Sequence, residues 1–321
     1  AILDVVNSYS PDLAGGMITV PGESSSYTIV IDPPEIDRIF LHDPGANDTF
    51  GAEDIRYELL AEARLFHFGY PPLMGRMYAG EGQELVEVFQ RARKTGITTS
   101  LDLAMPDPAG ASGQANWPLI LTRTLPHVDL FLPSIEELLF MLRRERFEQL
   151  TAEVGAEGVL ESLAVEEIVS LADEALGMGA KVVLLKMGTR GLYLSTSAEM
   201  SGTGRGTPPD LSAWTSRQLW APCFRPEIVT TTVGTGDAAI AGFLAALLRG
   251  ASPELALNVA AATGACCVEE PGALAGVRPW EETLARIEAG WEQLPVELAE
   301  AGWVWSRESG VWQGPTDRAD V

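Results

Sequence analysis

Beyond Asp54 the apolar residues of this chain fall into two alternating patterns. Short β-prone runs, Leu65-Phe-His-Phe68, Thr98-Thr-Ser-Leu101, Val128-Asp-Leu-Phe131 and Lys181-Val-Val-Leu-Leu185, read as strands. Longer amphipathic stretches predict helices over 52–64, 82–95, 134–146, 162–178, 236–249, 253–268 and 280–293. Ser252-Pro253 is a good start for one of them, with Ser as N-cap and Pro at the first helical position. Strands separated by helices imply right-handed βαβ units, hence an α/β fold with a mostly parallel sheet covered by helices on both faces.

Residues 17–47 follow a different rule. Ile18-Thr-Val20, Ser26 to Ile31 and Arg38 to His42 are strand-like pieces separated by Pro-Gly, Pro-Pro and Asp-Pro-Gly turns. They predict a small antiparallel sheet set apart from the core. Two loops, 104–116 and 199–216, are rich in Gly, Pro, Ser and Asp and read as surface excursions. The tail, 295–321, carries Trp303, Trp305 and Trp312, whose rings are expected to dock on the core.

Charge narrows the class of partner. A net charge of −23 over 321 residues argues against nucleic acid and anionic membrane. An anionic nucleotide remains compatible, because backbone N–H groups, lysines and Mg²⁺ act locally. The three cysteines, Cys223, Cys266 and Cys267, are an odd count with an adjacent pair, so they form neither a disulfide framework nor a zinc site. No apolar run reaches the roughly 20 residues of a membrane span, and no signal peptide opens the chain. A soluble, cytoplasmic protein is expected.

The candidate chemistry centres on Gly234-Thr235-Gly236-Asp237, between the β-prone run Ile228 to Val233 and the apolar segment Ala238 to Leu248. A glycine turn opening a helix aims free N–H groups and a positive dipole end at an anion. A carboxylate beside such a pocket suits a base acting on a hydroxyl that attacks phosphate. Four residues alone are equally a tight turn with Asp in the first helical turn. Other motifs precede and follow in order: Ser134-Ile-Glu-Glu137 after the strand ending near Leu132, Lys186-Met-Gly188-Thr-Arg-Gly191, and Glu-Pro-Gly272-Ala273. Ser134-x-x-Glu137 is at the same time a capping box, and the Lys186 turn is compatible with a plain β-hairpin.

This ordered set resembles the ribokinase-like (PfkB-type) carbohydrate kinases over nearly the whole chain. The family's Asp-Thr-x-Gly-Ala-Gly-Asp signature stands here as Thr231-Thr232-Val233-Gly234-Thr235-Gly236-Asp237. The resemblance implies a ribokinase-like fold in which 17–47 is a β lid and 48–294 the kinase core, with ATP and Mg²⁺ as cofactors. It makes Asp237 the general base and the N–H groups of Gly234, Thr235 and Gly236 the anion hole. Lys186, Gly188, Gly191, Thr232 and Gly272 would border the nucleotide, and Glu137 would organise hydrated Mg²⁺. His42 and Asn47 of the lid, with Asp102 after the strand 98–101, would lie near the acceptor.

The departures carry information. Thr231 replaces the family's Asp, and a neutral hydroxyl is a poorer ligand, which puts a monovalent cation in question. Ser134 replaces the metal-associated Asn. Residues 1–16, taken as the start of the core, supply neither the family's first strand with its substrate-binding Asp nor its Gly-Gly and Asn motif. A kinase acting on a sugar or sugar-like hydroxyl is the implied function. A nucleoside kinase of the same fold and a non-catalytic nucleotide-binding relative are the alternatives, and a homodimer through the lid is the implied assembly.

Overall fold

The computed structural model describes residues 2–31, 39–298 and 302–317. Two short helices, α1 (Ile2–Tyr9) and α2 (Pro11–Ala14), come first, and neither contains a buried residue. They occupy the stretch expected to begin the core. Next, β1 (Tyr27–Ile31) pairs antiparallel with β2 (Ile39–Asp43) in a separate two-stranded sheet. This is the small antiparallel sheet expected from the sequence, with one correction: Ile18 to Val20 has no strand partner among the described residues and is not a strand. Arg38 lies outside the described residues.

The core then alternates as the spacing of apolar residues requires. Its elements are α3 (Tyr57–Leu60), β3 (Leu65–Phe68), α4 (Gly75–Tyr78), α5 (Gln83–Lys94), β4 (Thr98–Leu101), α6 (Trp117–Thr124) and β5 (Leu130–Phe131). They continue through α7 (Ile135–Leu142), α8 (Arg144–Val154), α9 (Val159–Ser162), α10 (Val165–Gly177), β6 (Val182–Lys186), β7 (Leu192–Thr196) and β8 (Gln218–Ala221). Last come α11 (Thr235–Leu248), α12 (Pro253–Cys267), α13 (Trp280–Glu288), β9 (Val304–Ser306) and β10 (Val311–Gln313). The helix expected over 52–64 is broken into a 3₁₀ turn at Ala52–Asp54 and the single turn of α3.

The strands form one mixed sheet in the order β3-β4-β5-β6-β7-β8-β10-β9. Strands β3 to β6 run parallel, and β7, β8, β10 and β9 extend the sheet antiparallel. Alternation along the strands assigns side chains to the two faces. Val183 and Leu185 pack with Leu101, Phe131, Phe89, Ile135 and Leu171 on one side. Val182 and Leu184 pack with Leu130, Leu132, Leu194, Phe243 and Leu257 on the other. Helices therefore cover both faces, as the sequence pattern predicts.

Two segments read as peripheral are tied in. Trp214 of the 199–216 loop is buried against Phe243, and Arg205 donates to the carbonyls of Leu60, Ala63 and Thr95. The tail docks as expected through Trp303, whose ring centroid lies 5.9 Å from both Tyr193 and Trp220. It also adds β10 to the sheet. Arg217, buried next to β8, binds Asp317 Oδ1 at 2.8 Å and the carboxylate of Glu254, which locks the added strand in place.

Candidate active site

The parallel half of the sheet places its strand ends together, where ligand-binding loops gather in folds of this kind. Lys186, the last residue of β6, forms a parallel bridge with Ser134 just beyond β5. Its ammonium reaches across β5 to Asp102, immediately after β4, and meets Oδ1 at 2.6 Å. Asp102 is 1% exposed, and its Oδ2 has no hydrogen-bond partner. Burial pushes this carboxyl above its ordinary range, opposed by Lys186 and reinforced by the nearby Glu137.

Glu137 is positioned by its own helix. Ser134 is the N-cap of α7, and Ser134 N donates to Glu137 Oε2 at 2.9 Å. The Glu137 half of the capping box read from the sequence is thus formed, and it holds the carboxylate close enough for its charge to act on Asp102 and Tyr70.

The glycine turn meets this cluster from the other side. Gly234 is the N-cap of α11 with φ +79°, a left-handed conformation that favours glycine. A Cβ there would fall 2.4 Å from Ala273 Cβ, so the Gly272-Ala273 segment packs directly on the turn. Farther along, Gly242 allows α11 to approach Thr263 of α12, where a Cβ would sit 2.5 Å from the hydroxyl. The two contacts fix where the helix begins. Among the described residues no side chain caps α11, so its first-turn N–H groups are left uncapped. Thr235 N makes only a 3.4 Å contact to Thr232 O, and the buried Thr235 hydroxyl has no partner. Lys186 lies over this helix start: its Nζ is 3.8 Å from where a Cβ on Gly236 would be.

Asp237, in the first turn of α11, is exposed and accepts a hydrogen bond from the Tyr70 hydroxyl at 2.5 Å on Oδ1. Tyr70 follows β3 and Gly69 and precedes Pro71-Pro72, with a left-handed φ of +66° that is unusual for an aromatic residue. Packing around the hydroxyl, and the Asp237 carboxylate beside it, push the phenol well above its ordinary value. His67 of β3 stands 3.0 Å by Nδ1 from Ser100 Oγ. The residue is exposed, yet desolvation by the groups packed around the ring and then the Lys186 charge push its imidazole down to about 4, partly offset by Asp237. Read from the sequence as core-facing or a satisfied strand histidine, His67 is not core-facing but exposed toward the site, and Ser100 satisfies its Nδ1.

The structure thus brings together Asp237, Gly236, Lys186, Asp102 and Glu137, all singled out from the sequence. Tyr70 was not singled out. Its signal was present: Gly69-Tyr-Pro-Pro lies at the end of a parallel strand, where functional loops occur.

Other candidates are placed differently. Gly188 and Gly191 shape the hairpin between β6 and β7, and Cys223 Sγ donates to Gly188 O at 3.0 Å. Lys186 points away from that turn, toward the start of α11. Thr232 is exposed beside the glycine turn. Thr231 Oγ1 accepts from Val233 N at 3.2 Å, so the hydroxyl in the family's Asp position serves its own turn. His42 Nδ1 lies 2.8 Å from Thr28 Oγ1 across the lid, and Asn47 sits in the 3₁₀ turn Gly45–Asn47. Neither is hydrogen-bonded to Asp237 among the described residues. The run Ile228 to Val233 is a correction: it is not a strand, and Ile228 and Val229 are 62% and 63% exposed.

No helix among the described residues is long and apolar enough to cross a membrane. The chain matches the model of the pfkB family carbohydrate kinases over residues 16–280. It is 23% identical over 261 residues to an uncharacterized sugar kinase of Archaeoglobus fulgidus, a match covering 81% of this chain and 83% of that protein. Two solved structures share the fold at 18% identity. Arabidopsis thaliana ribokinase in complex with ribose and ATP matches 88% of this chain and 76% of its own, with a TM-score of 0.59. Xylella fastidiosa fructokinase with bound ATP matches 89% and 81%, with a TM-score of 0.62.

Proposed function

The chain belongs to the pfkB family of carbohydrate kinases, and from that premise we propose that it transfers the γ-phosphoryl group of ATP to a hydroxyl of a sugar or sugar-like molecule, with Asp237 as general base. The observation that carries this reading is the Lys186 ammonium lying over the glycine turn that opens α11, with Asp237 in the same helical turn.

Phosphoryl transfer asks for alignment and charge stabilisation. The uncapped N–H groups of α11 receive the transferring phosphate, and Lys186 adds a mobile positive charge to the same space. As the acceptor oxygen bonds to the γ-phosphorus, its proton passes to Asp237 Oδ2. The bond from phosphorus to the β,γ-bridging oxygen breaks, and that electron pair leaves with ADP. Oδ1, already engaged by Tyr70, is not needed for the proton.

A metal arriving with the nucleotide fits the donors present. The cap uses Glu137 Oε2, and Asp102 Oδ2 is an unpartnered buried acceptor. Glu137, through water, would hold Mg²⁺, which neutralises phosphate charge when bound. Gly188, Gly191, Thr232 and Gly272 border the nucleotide in this reading, and His42 and Asn47 come to the acceptor with the lid. The apolar lid face, exposed at Ile29 and Leu41, serves as a dimer contact.

The test is ADP release with Mg·ATP across a panel of sugars and nucleosides, for the wild type and Asp237→Asn. Sugar-stimulated turnover that drops about 10²- to 10⁴-fold in the variant is expected. Unchanged turnover in Asp237→Asn would sink the mechanism. Stimulation by nucleosides alone would move the acceptor to that class, and ATP binding without turnover would leave a regulatory nucleotide-binding module.

A further inference from the structure

We infer that Tyr70 is the positioning residue for the base: its hydroxyl holds Asp237 Oδ1, so that Oδ2 is the oxygen presented to the acceptor. The inference rests on the reading of Asp237 as the base and adds to it which oxygen acts and what fixes it.

The geometry comes from three elements. Asp237 is an exposed side chain at a helix start, and a lone carboxylate there rotates freely about χ2. The Tyr70 hydroxyl, 2.5 Å from Oδ1, is a partner able to stop that rotation. Tyr70 is itself held by its backbone. It sits between the end of β3 and the rigid Pro71-Pro72 pair, in a left-handed conformation at φ +66° and ψ +44°. A residue before proline is steered away from the right-handed helical region. A side chain maintained in so unfavourable a backbone state, and ending on the one carboxylate of the glycine turn, marks a constrained functional contact.

The contact also biases charge. Tyr70 keeps its proton throughout, so it donates to the ionised carboxylate and does not relay the proton. The other groups facing Asp237 are His67 of β3, held neutral, Lys186 of β6 and Cys267 of α12. Asp102 after β4 and Glu137 of α7 stand behind Lys186 and Tyr70. Among the described residues Tyr70 alone makes a direct side-chain hydrogen bond to the carboxylate. Removing that donor leaves the ionised base less well supported and free to rotate.

The experiment compares wild type, Tyr70→Phe, Asp237→Asn and the double variant, measuring kcat and KM for ATP. Tyr70→Phe should lower kcat about tenfold, the worth of a hydrogen bond to a charged group. KM for ATP should stay within about twofold, so that the loss falls on kcat. Adding Tyr70→Phe to Asp237→Asn should cause no further loss, because the tyrosine acts through the carboxylate. A Tyr70→Phe enzyme with the wild-type kcat overturns the inference while leaving the base intact. A faster Tyr70→Phe enzyme also overturns it, since the hydroxyl would then be an obstruction. Full turnover in Asp237→Asn removes the base itself, a failure distinguishable from the other two.

Discussion

Lys186 Nζ and Asp102 Oδ1 lie 2.6 Å apart, joining the ends of β6 and β4 over the intervening β5. The pairing keeps the Lys186 ammonium beside the helix start, held by a carboxylate whose other oxygen is unpartnered among the described residues. Replacing Lys186 by Met leaves Asp102 buried without its counter-ion. Asp102 is already raised by burial, and losing Lys186 raises it further. A carboxyl raised in the folded state contributes stability that is present at low pH and lost as pH rises through the folded value. Denaturant titrations should therefore show Lys186→Met weaker than wild type by about 3 kcal/mol at pH 8 and by clearly less at pH 5. An equal loss at both values would contradict the argument.

His67 has the opposite sign. Its imidazole is pushed down to about 4, so the folded state binds the proton less readily than the unfolded chain. The associated stability is present above the ordinary histidine value near 6.5 and is lost as pH falls toward 4. A His67→Asn variant should flatten the wild-type decline between those limits. Stability curves that stay parallel from pH 7.5 to 4.5 would show that His67 is not its source.

Two glycines two positions apart should behave differently. Gly234→Ala meets Ala273 and a left-handed backbone, and should cost about 2 kcal/mol of stability as well as activity. Gly236→Ala has room, its nearest neighbours being the Lys186 side chain at 3.6 Å and beyond. It lies within a helix, so stability should hold or rise by up to about 1 kcal/mol. Its methyl enters the phosphate space, and ADP release should fall at least about tenfold. A Gly236→Ala protein that is both stable and fully active would exclude the first turn of α11 from phosphate binding.

The lid invites a measurement of size. Ile29 and Leu41 are cross-strand partners, 51% and 53% exposed, with Tyr27 and Ile31 on the same face. A two-stranded sheet has little stability of its own, and a second copy would cover this face. Sedimentation should show a dimer that the double change Ile29→Glu, Leu41→Glu converts to a monomer. A wild type monomeric at every concentration would remove the assembly.

Legibility in the sequence followed local cause. Glu137 was readable because the capping box is a four-residue device whose geometry needs nothing distant. The glycine turn was readable because only glycine suits Gly234. Ile228 to Val233 misled, since β propensity makes a strand only beside another strand, and here Thr230 N bonds instead to Val268 O at the end of α12. Residues 218–221 were passed over for the converse reason: β8 is a strand through partners on both sides, β7 and β10. The destination of the Lys186 side chain and the reach of Tyr70 to Asp237 depend on contacts 84 and 167 residues apart. No local pattern encodes such distances.

Arg217 offers a check on the sheet's far side. It is buried between Asp317 and Glu254, and Arg217→Ala would strand both carboxylates. A loss of about 3–5 kcal/mol in denaturant unfolding is expected, and a loss under about 1 kcal/mol would show that the clamp is dispensable.

That clamp has a consequence for how the molecule is made. β8 lies inside the sheet, yet its outer neighbour β10 comes from residues 311–313, and its lock, Asp317, is 100 residues downstream of Arg217. During synthesis the kinase core leaves the ribosome with β8 as a raw edge, its amides open to any passing strand. Closure waits for residue 317 to emerge. A nascent chain arrested before β10 should stay sensitive to protease, and one released beyond Asp317 should become resistant.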